Sequence, residues 1–510
     1  MKHRALETAD LTVTKFGGES MLAMETVKDR LFEDDRRRLA VVSALGKLSV
    51  ERTMELGYRE GVHIEKITNQ LIDFCRNGSE DILEDIVGRH AFEAERLCIF
   101  GDDAERRREL IDAFERTIRS HYESGEFADV ELMGEVMSGT LLAAYLGDDA
   151  VFIDPRDVIV FESLNPDPNG NHPIDLPETA RRIREKITAS NSTIAVLGGY
   201  GGQYQGKTYL LQRSGTDVIG AAVTNALGAS KYEVFKEVKG VYVTNPTLLR
   251  DVDIEPTDDD IIRKLTYDEA RDIGVAGSEV LQRDAIGYLW DKNEPHSTTR
   301  EITTVVRSSS QPSDPGTEIV PRRTASKHET IINFNVRDDY AYFKVHEYGL
   351  NGKLDYAKSL LEFMGNFDSG NSGQGQMKPI TWDHMPTGTD SITVVMPARQ
   401  FKQWAPSKDQ LASLHDFDSL IEGLQTAGFN VEVSGPMGAI HLVGQEHANP
   451  DKIARILGTM GTALHREGVG LFGGTTQINT TSSVWFTRTN VYRAATRAVY
   501  EAFIRDPRGQ

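Results

Sequence analysis

Cysteine is nearly absent: Cys75 and Cys98 are the only two in 510 residues. No disulfide framework can be built from them, and neither stands in a redox or metal-ligand spacing. Both are expected to be reduced, in a cytoplasmic protein. Long apolar runs are also missing. Residues 1–10 mix charges without an apolar core of signal-peptide length, and no later stretch is suited to crossing a bilayer, so no membrane partner is expected. The 13 histidines form no HxxxH or similar cluster, and no built-in metal site is expected. Net positive charge is lacking too. A formal net charge of −20 argues against general binding to nucleic acid or anionic membranes, while leaving room for a local basic pocket.

What is present is a chain too long for one ordinary core, so two to four domains are expected. Its organising stretch is Val13-Thr-Lys-Phe-Gly-Gly-Glu-Ser20, where an apolar strand runs into a lysine and paired glycines before a helical pattern near Met21. Glycines let backbone N–H groups approach an anion, a following helix aims its positive end there, and Lys15 adds a full charge. A tight strand-to-helix turn with a surface lysine is the plainer alternative on this stretch alone.

Further along, Leu39–Ser43 reads as a buried parallel strand ending in the loop Ser43–Lys47, the end at which open α/β sheets place ligands. The region 64–122 reads as helical, its charges mostly a solvated face. An amphipathic helix over 130–146 carries Glu135, either a surface carboxylate or one turned into a cleft toward an ammonium. Val158–Phe161 reads as a short strand, and Thr193–Leu197 as a buried strand before a second glycine-rich loop, Gly198–Gly202, read as further phosphate-binding backbone. In Leu211–Asp217, Ser214 or Thr216 is placed to cap a helix to about Leu227. There Arg213 could clamp a carboxylate or form a surface ion pair. Strands alternating with helices argue for a largely parallel sheet covered on both faces, closing with Ile302–Val306. From about His328 alternating strands with single helices imply a small α+β module, and a similar order recurs after Ala439, so two related modules are expected.

Together these segments resemble aspartate kinases of the amino-acid kinase family. KFGGES resembles that family's KFGGTS, VVSALGK its VVSAxGK, KITNQLI its KVTDLLI, GEVMSGTLLAAYL its GExxSxxLxAAYL, and LQRSGTD its LGRGGSD. EVKGVYVTNP resembles DVDGVYTADP, and LTYDEARDIGVAGSEVL resembles the segment ending FGAKVLHP. The resemblance implies an α/β fold: a three-layer amino-acid kinase domain over 11–320, then two ferredoxin-like ACT modules over 328–435 and 436–507, open to interleaving. It also implies phosphoryl transfer from ATP, with Mg2+, to the side-chain carboxylate of L-aspartate. A kinase of another small amino acid, or a non-catalytic amino-acid-binding homologue, stays open.

Residue by residue, the resemblance makes Lys15 and Asp217 catalytic and gives Gly17, Gly18 and Ser20 to the phosphates. Ser43, Thr68, Glu135, Arg213 and Thr216 fall to the amino acid, and Lys236, Glu237 and Tyr242 to the nucleotide. It implies an amino-acid effector at the ACT modules and a homodimer or higher homo-oligomer. Three positions depart from the pattern: Glu19 stands for the family's threonine, Thr247 for an arginine, and Glu279 for a lysine. The Pro-Gly that usually opens the ACT helix is also missing, with Gly352-Lys-Leu354 and Asn449-Pro-Asp451 in its place. No particular effector is therefore assigned.

Overall fold

The computed structural model describes residues 11–49, 53–54, 65–165, 171–190, 192–212, 214–278, 281–290, 301–311, 313–324, 331–350, 354–367, 380–385, 387–404, 414–445, 450–476 and 481–505. The chain divides into two compact units. The first comprises Met1–Val241, Ile261–Gly274 and Glu279–Arg323, and the second Tyr242–Asp260, Val275–Ser278 and Thr324–Gln510.

The first unit is built on an eight-stranded sheet. Its spatial order is Lys264–Thr266, Thr317–Val320, Thr303–Ser308, Lys231–Lys236, Thr12–Phe16, Arg37–Val42, Ile194–Gly198 and Ala150–Ile153. All neighbours run parallel except Thr303–Ser308 and Thr317–Val320, which are antiparallel. The apolar runs that read as buried strands are buried because both faces are covered. Ala40, Val42, Ile194 and Val196 enter one core with the helices Ile67–Asn77, Glu80–Arg96, Ala104–Glu123 and Phe127–Leu146. Their alternates Leu39, Val41, Ala195 and Leu197, also buried, turn to the other side, where helix Gly215–Leu227 packs on the central strands.

Thr12–Phe16 lies mid-sheet, and the chain leaves it first toward Arg37–Val42 on one side and later returns to Lys231–Lys236 on the other. A crevice opens at such a switch point, beyond the carboxyl ends of the strands.

Three local expectations need adjustment. Val158–Phe161 is not a strand throughout: Val158 ends the helical turn Pro155–Val158, which Asp154 caps by accepting from Arg156 N at 2.9 Å with Pro155 at its first position, while Val160 and Phe161 make isolated bridges to Gln203 and Ile174. Half of the second glycine-rich loop is a hairpin, Gly201–Tyr204 with Lys207–Leu210, turned by Gln205 and Gly206 at positive φ. The helix Glu80–Arg96 is not simply a solvated face, since Arg89, His90 and Glu93 on it are fully buried.

The second unit holds a five-stranded antiparallel sheet ordered Ser391–Pro397, Asn333–His346, Asn430–Val443, Ser482–Arg488 and Leu471–Thr476. Two of these strands are 14 residues long and serve two α+β modules at once. Tyr340–His346 pairs with Ser391–Pro397 under the core formed with helices Leu354–Gly365 and Phe417–Thr426. Asn333–Arg337 instead pairs with Ala439–Val443 of the half that carries helices Pro450–Arg466 and Tyr492–Tyr500, and the register shifts between Arg337 and Tyr340. The ACT-like modules are thus fused through shared strands. No helix among the described residues is long and apolar enough to cross a membrane.

Candidate active site

The lysine of the opening motif sits deep in the first unit. In the sheet Lys15 lies opposite Val41 and Val234, and it is only 8% exposed. Its Nζ stands 2.7 Å from Oδ1 of Asp217, on the first turn of helix Gly215–Leu227. Burial pushes the Asp217 carboxyl up, but the charges of Lys15 and Lys236 outweigh it and hold the group below its ordinary range. A charged pair is therefore kept in the interior.

The glycines beside it have distinct jobs. Gly46 N donates to Gly18 O at 2.9 Å. A Cβ on Gly18 would come within 2.9 Å of Ala44 O, and one on Gly46 within 2.6 Å of Glu19 N. The two strand-end turns pack backbone to backbone, which only glycine allows. At Gly17 a Cβ would meet only Lys15 Nζ at 3.7 Å and Glu237 Oε1 at 4.0 Å. Packing does not demand that glycine, so its use fits a backbone left open to an anion. Ser20 is buried, with its Oγ 3.4 Å from Ser309 Oγ. Lys236 is half-buried, while Glu19 and Glu237 are exposed. Partial burial and the charge of Glu237 raise the Glu19 carboxyl, with Lys66 opposing them.

The opposite wall is assembled around Glu135. Helix Phe127–Leu146 is buried nearly all round, and Glu135 with it, at 3% exposure. Oε1 accepts from Ala44 N at 3.2 Å, while Oε2 has no hydrogen-bond partner among the described residues. Burial pushes its carboxyl up to about 8, with backbone donors and the charge of Glu131 as lesser influences. Ser138 Oγ donates to Ser43 O at 2.7 Å, and Ser43 Oγ to Thr216 Oγ1 at 3.0 Å. Gly198 and Gly199 give these groups room, since a Cβ on Gly198 would lie 3.4 Å from Glu135 Cβ and one on Gly199 2.5 Å from Thr216 Cγ2. The glycines expected to bind phosphate thus line the Glu135–Thr216 side. Ser214 takes the N-cap position at φ +67°, but its side chain makes no capping bond.

One positioning residue was not legible. Arg89, fully buried, donates to Gly46 O at 2.8 Å and to Glu65 O at 2.5 Å. It ties the turn behind Gly18 to the residues leading into helix Ile67–Asn77, whose second position is Thr68. Arg89→Met leaves those carbonyls without their donor, at about 1–3 kcal/mol each. Thermal melts are expected to show a lower Tm, and an unchanged Tm would refute this role.

Lys15, Asp217, Gly17, Gly18, Ser43, Thr216 and Glu135 are therefore gathered around the ends of three adjacent strands. Arg213 and Glu279 lie outside the described residues. Tyr242, half-buried, belongs to the second unit, as does the exposed Thr247. Elsewhere, ligand atoms of His121, Glu126 and Asp129 lie within 4.8 Å of one another. A cation is already in place there: Arg156 bonds Asp129 at 2.9 Å and His121 at 3.3 Å. Burial pushes the Cys75 thiol up to about 12, away from the thiolate form that a nucleophile needs.

A mainly parallel sheet with a buried lysine and a glycine cradle on one wall, and a buried carboxylate on the other, defines a small-molecule phosphotransferase class of site. The model of the amino acid kinase family matches residues 10–292, and the chain belongs to that family. Aspartokinase 3 of Bacillus subtilis is 26% identical over 402 residues, 76% of this chain and 78% of that protein. The fold is shared with Clostridium acetobutylicum aspartate kinase, at TM-score 0.72 and 23% identity over 97% of this chain and 100% of that one. E. coli aspartokinase III, solved with aspartate and ADP, superposes at TM-score 0.68 and 18% identity, over 96% and 99%.

Proposed function

We propose that the protein is an aspartate kinase, transferring the γ-phosphoryl group of ATP to the side-chain carboxylate of L-aspartate and releasing 4-phospho-L-aspartate and ADP. The observation that carries this reading is Glu135, whose buried Oε2 lacks a partner beside the Lys15–Asp217 pair's helix. A carboxylate held so dry needs a cation, and a substrate ammonium supplies one. Arg213 takes the α-carboxylate, and Ser43, Thr68 and Thr216 orient the side chain.

An oxygen of the substrate's side-chain carboxylate forms the new bond to the γ-phosphorus, and the bond from that phosphorus to the β–γ bridging oxygen breaks. The attacking group is already ionised, so no general base is needed. Catalysis then rests on alignment and on Lys15, whose charge meets the phosphoryl oxygens while Gly17 and Gly18 present backbone N–H groups. Lys236, Glu237 and Tyr242 serve the nucleotide. Mg2+ would arrive with the nucleotide and neutralise phosphate charge. The charge of Glu237 beside Glu19, which raises the Glu19 carboxyl, fits the two as its protein neighbours, which gives the unusual glutamate a use. The fused C-terminal modules are the natural seat of an amino-acid effector and of self-association, on the strength of the shared fold.

An acceptor panel tests the assignment. ADP release in the presence of Mg-ATP is expected with L-aspartate and to be far weaker with D-aspartate, L-glutamate or N-acetyl-L-glutamate. Turnover with another member of the panel and none with L-aspartate would overturn it.

A further inference from the structure

The chain just ahead of helix Gly215–Leu227 is held from outside its own element. Leu211 N donates to Tyr200 O at 2.8 Å, and Gln212 N donates to Asn171 Oδ1, also at 2.8 Å. On the other side Gly215 N donates to Gln212 O at 3.0 Å, so Gln212 is fastened through both of its backbone groups. Gln212 is exposed, whereas Asn171, 41 residues earlier in the chain, is buried at 3% exposure. A buried amide is costly unless its donor and acceptor ends are both used.

Asn171 uses both. While Oδ1 takes the Gln212 N–H, Nδ2 donates to Oδ2 of Asp284 in helix Arg283–Leu289. That helix is itself tied down. Gln282 caps it by accepting from Asp284 N at 3.0 Å, and Asn225 Nδ2 of helix Gly215–Leu227 donates to Tyr288 O at 2.9 Å. Ile174 N donates to Tyr288 OH at 3.0 Å, and the His172 ring meets Phe161 and Tyr209 edge-on, with centroids 5.6 and 5.8 Å apart, so the residues after Asn171 are fixed as well. All of these residues belong to the first unit. An aspartate at this position could accept from Gln212 but would face the Asp284 carboxylate, and an apolar side chain could serve neither partner. The amide fits both.

We propose that Asn171 is a positioning residue for the amino acid, and in particular for recognition of its α-carboxylate. It fixes Gln212, the residue before Arg213 in the sequence, and with it the entrance to the helix whose first turn carries Thr216 and Asp217. Thr216 is in turn bonded to Ser43, so the tie reaches the wall that takes the amino acid. Asn171 acts through that backbone. This rests on the aspartate kinase reading and on its assignment of Arg213 to the α-carboxylate.

The test compares kcat/KM for L-aspartate with that for its α-amide, L-isoasparagine, which keeps the side-chain carboxylate, with KM for ATP and melting curves alongside. Asn171→Ala is expected to lower kcat/KM for L-aspartate about tenfold, the scale of one lost hydrogen bond, and to change that for the α-amide and KM for ATP by less than about twofold. Equal losses on both acceptors, or none on either, would overturn the proposal. A second pair of variants guards against misfolding. Asn171→Asp sets two carboxylates against each other and is expected to lose at least as much preference for L-aspartate, whereas Asn171→Asp combined with Asp284→Asn restores a donor and an acceptor and is expected to recover it. No recovery would contradict the positioning role. If the wild-type protein turns over no acceptor, the aspartate kinase reading fails by itself. Hydrogen exchange then decides the tie: faster exchange at the Gln212 N–H in Asn171→Ala than in wild type supports it, and equal exchange contradicts it.

Discussion

Lys15→Ala is expected to lower kcat by roughly 10²–10³-fold, the scale of losing one preorganised charge aimed at a developing anion. KM for aspartate should change far less, because the proposed ammonium and side-chain contacts are with the Glu135–Thr216 side. The substitution also strands Asp217. With Lys15 gone, burial is opposed by the weaker influence of Lys236, so the Asp217 carboxyl rises toward or above its ordinary value. In the intact protein its depressed pKa contributes stability that is present above the unfolded value and lost as pH falls through the folded one. Lys15→Ala should therefore flatten the acid limb of the stability profile below about pH 4. Lys15→Met keeps most of the side chain's volume and separates charge from packing. Turnover retained in both variants would remove Lys15 from the reaction.

Glu135→Gln is expected to be as damaging, but through aspartate. A buried carboxylate facing a substrate ammonium is a desolvated pair, and removing one partner costs about 3–5 kcal/mol, or some 10²–10³-fold in kcat/KM for aspartate. KM for ATP should stay close to wild type.

The pH dependence follows from the raised pKa of about 8. In the free protein Glu135 is mostly protonated at neutral pH, so kcat/KM for aspartate should climb up to about pH 8 and then level, whereas Glu135→Gln should show no such limb. Stability has the opposite sign. A carboxyl whose folded pKa lies above its unfolded value contributes stability that is complete below the unfolded pKa and is lost as pH rises through the folded one. Without substrate, Glu135→Gln should thus melt higher than wild type at pH 9 and about equally at pH 4. Saturating aspartate should narrow the gap at pH 9 by giving the wild-type carboxylate its counter-charge. Identical wild-type and variant profiles would mean that the carboxylate is not where the substrate binds.

Much of this arrangement was legible in the sequence, and the exceptions have physical causes. Leu39–Val42 and Ile194–Leu197 are apolar on every residue, which only a strand covered on both faces requires, and both are central strands. The paired glycines of the first motif pointed to close backbone approach, and Gly18 meets Gly46.

Burial of Glu135 could have been read from its helix, where apolar and small residues leave no solvent face around it. Arg89 could not, because Glu80–Arg96 carries charges at about half of its positions and nothing local distinguishes those that fold inward. The start of Val158–Phe161 was misread because three β-branched residues outweighed Asp154-Pro155, a start signal for a helical turn that runs to Val158. The fusion of the C-terminal modules was hidden for a different reason. Asn333–Arg337 pairs with Ala439–Val443, and a partner so far along the chain leaves no trace in local periodicity. The same holds for Asn333 and Asn335, whose side-chain amides donate to Tyr242 O and Ala276 O.

The central claim is that an acyl phosphate forms on the side chain of aspartate. Incubation with L-aspartate, Mg-ATP and hydroxylamine, followed by mass analysis of the trapped product, tests it most directly. Aspartate β-hydroxamate formed in step with ADP, and lost with Lys15→Ala, is the result expected. ADP released without any hydroxamate, or no reaction across salt concentrations and nucleotides, would contradict it.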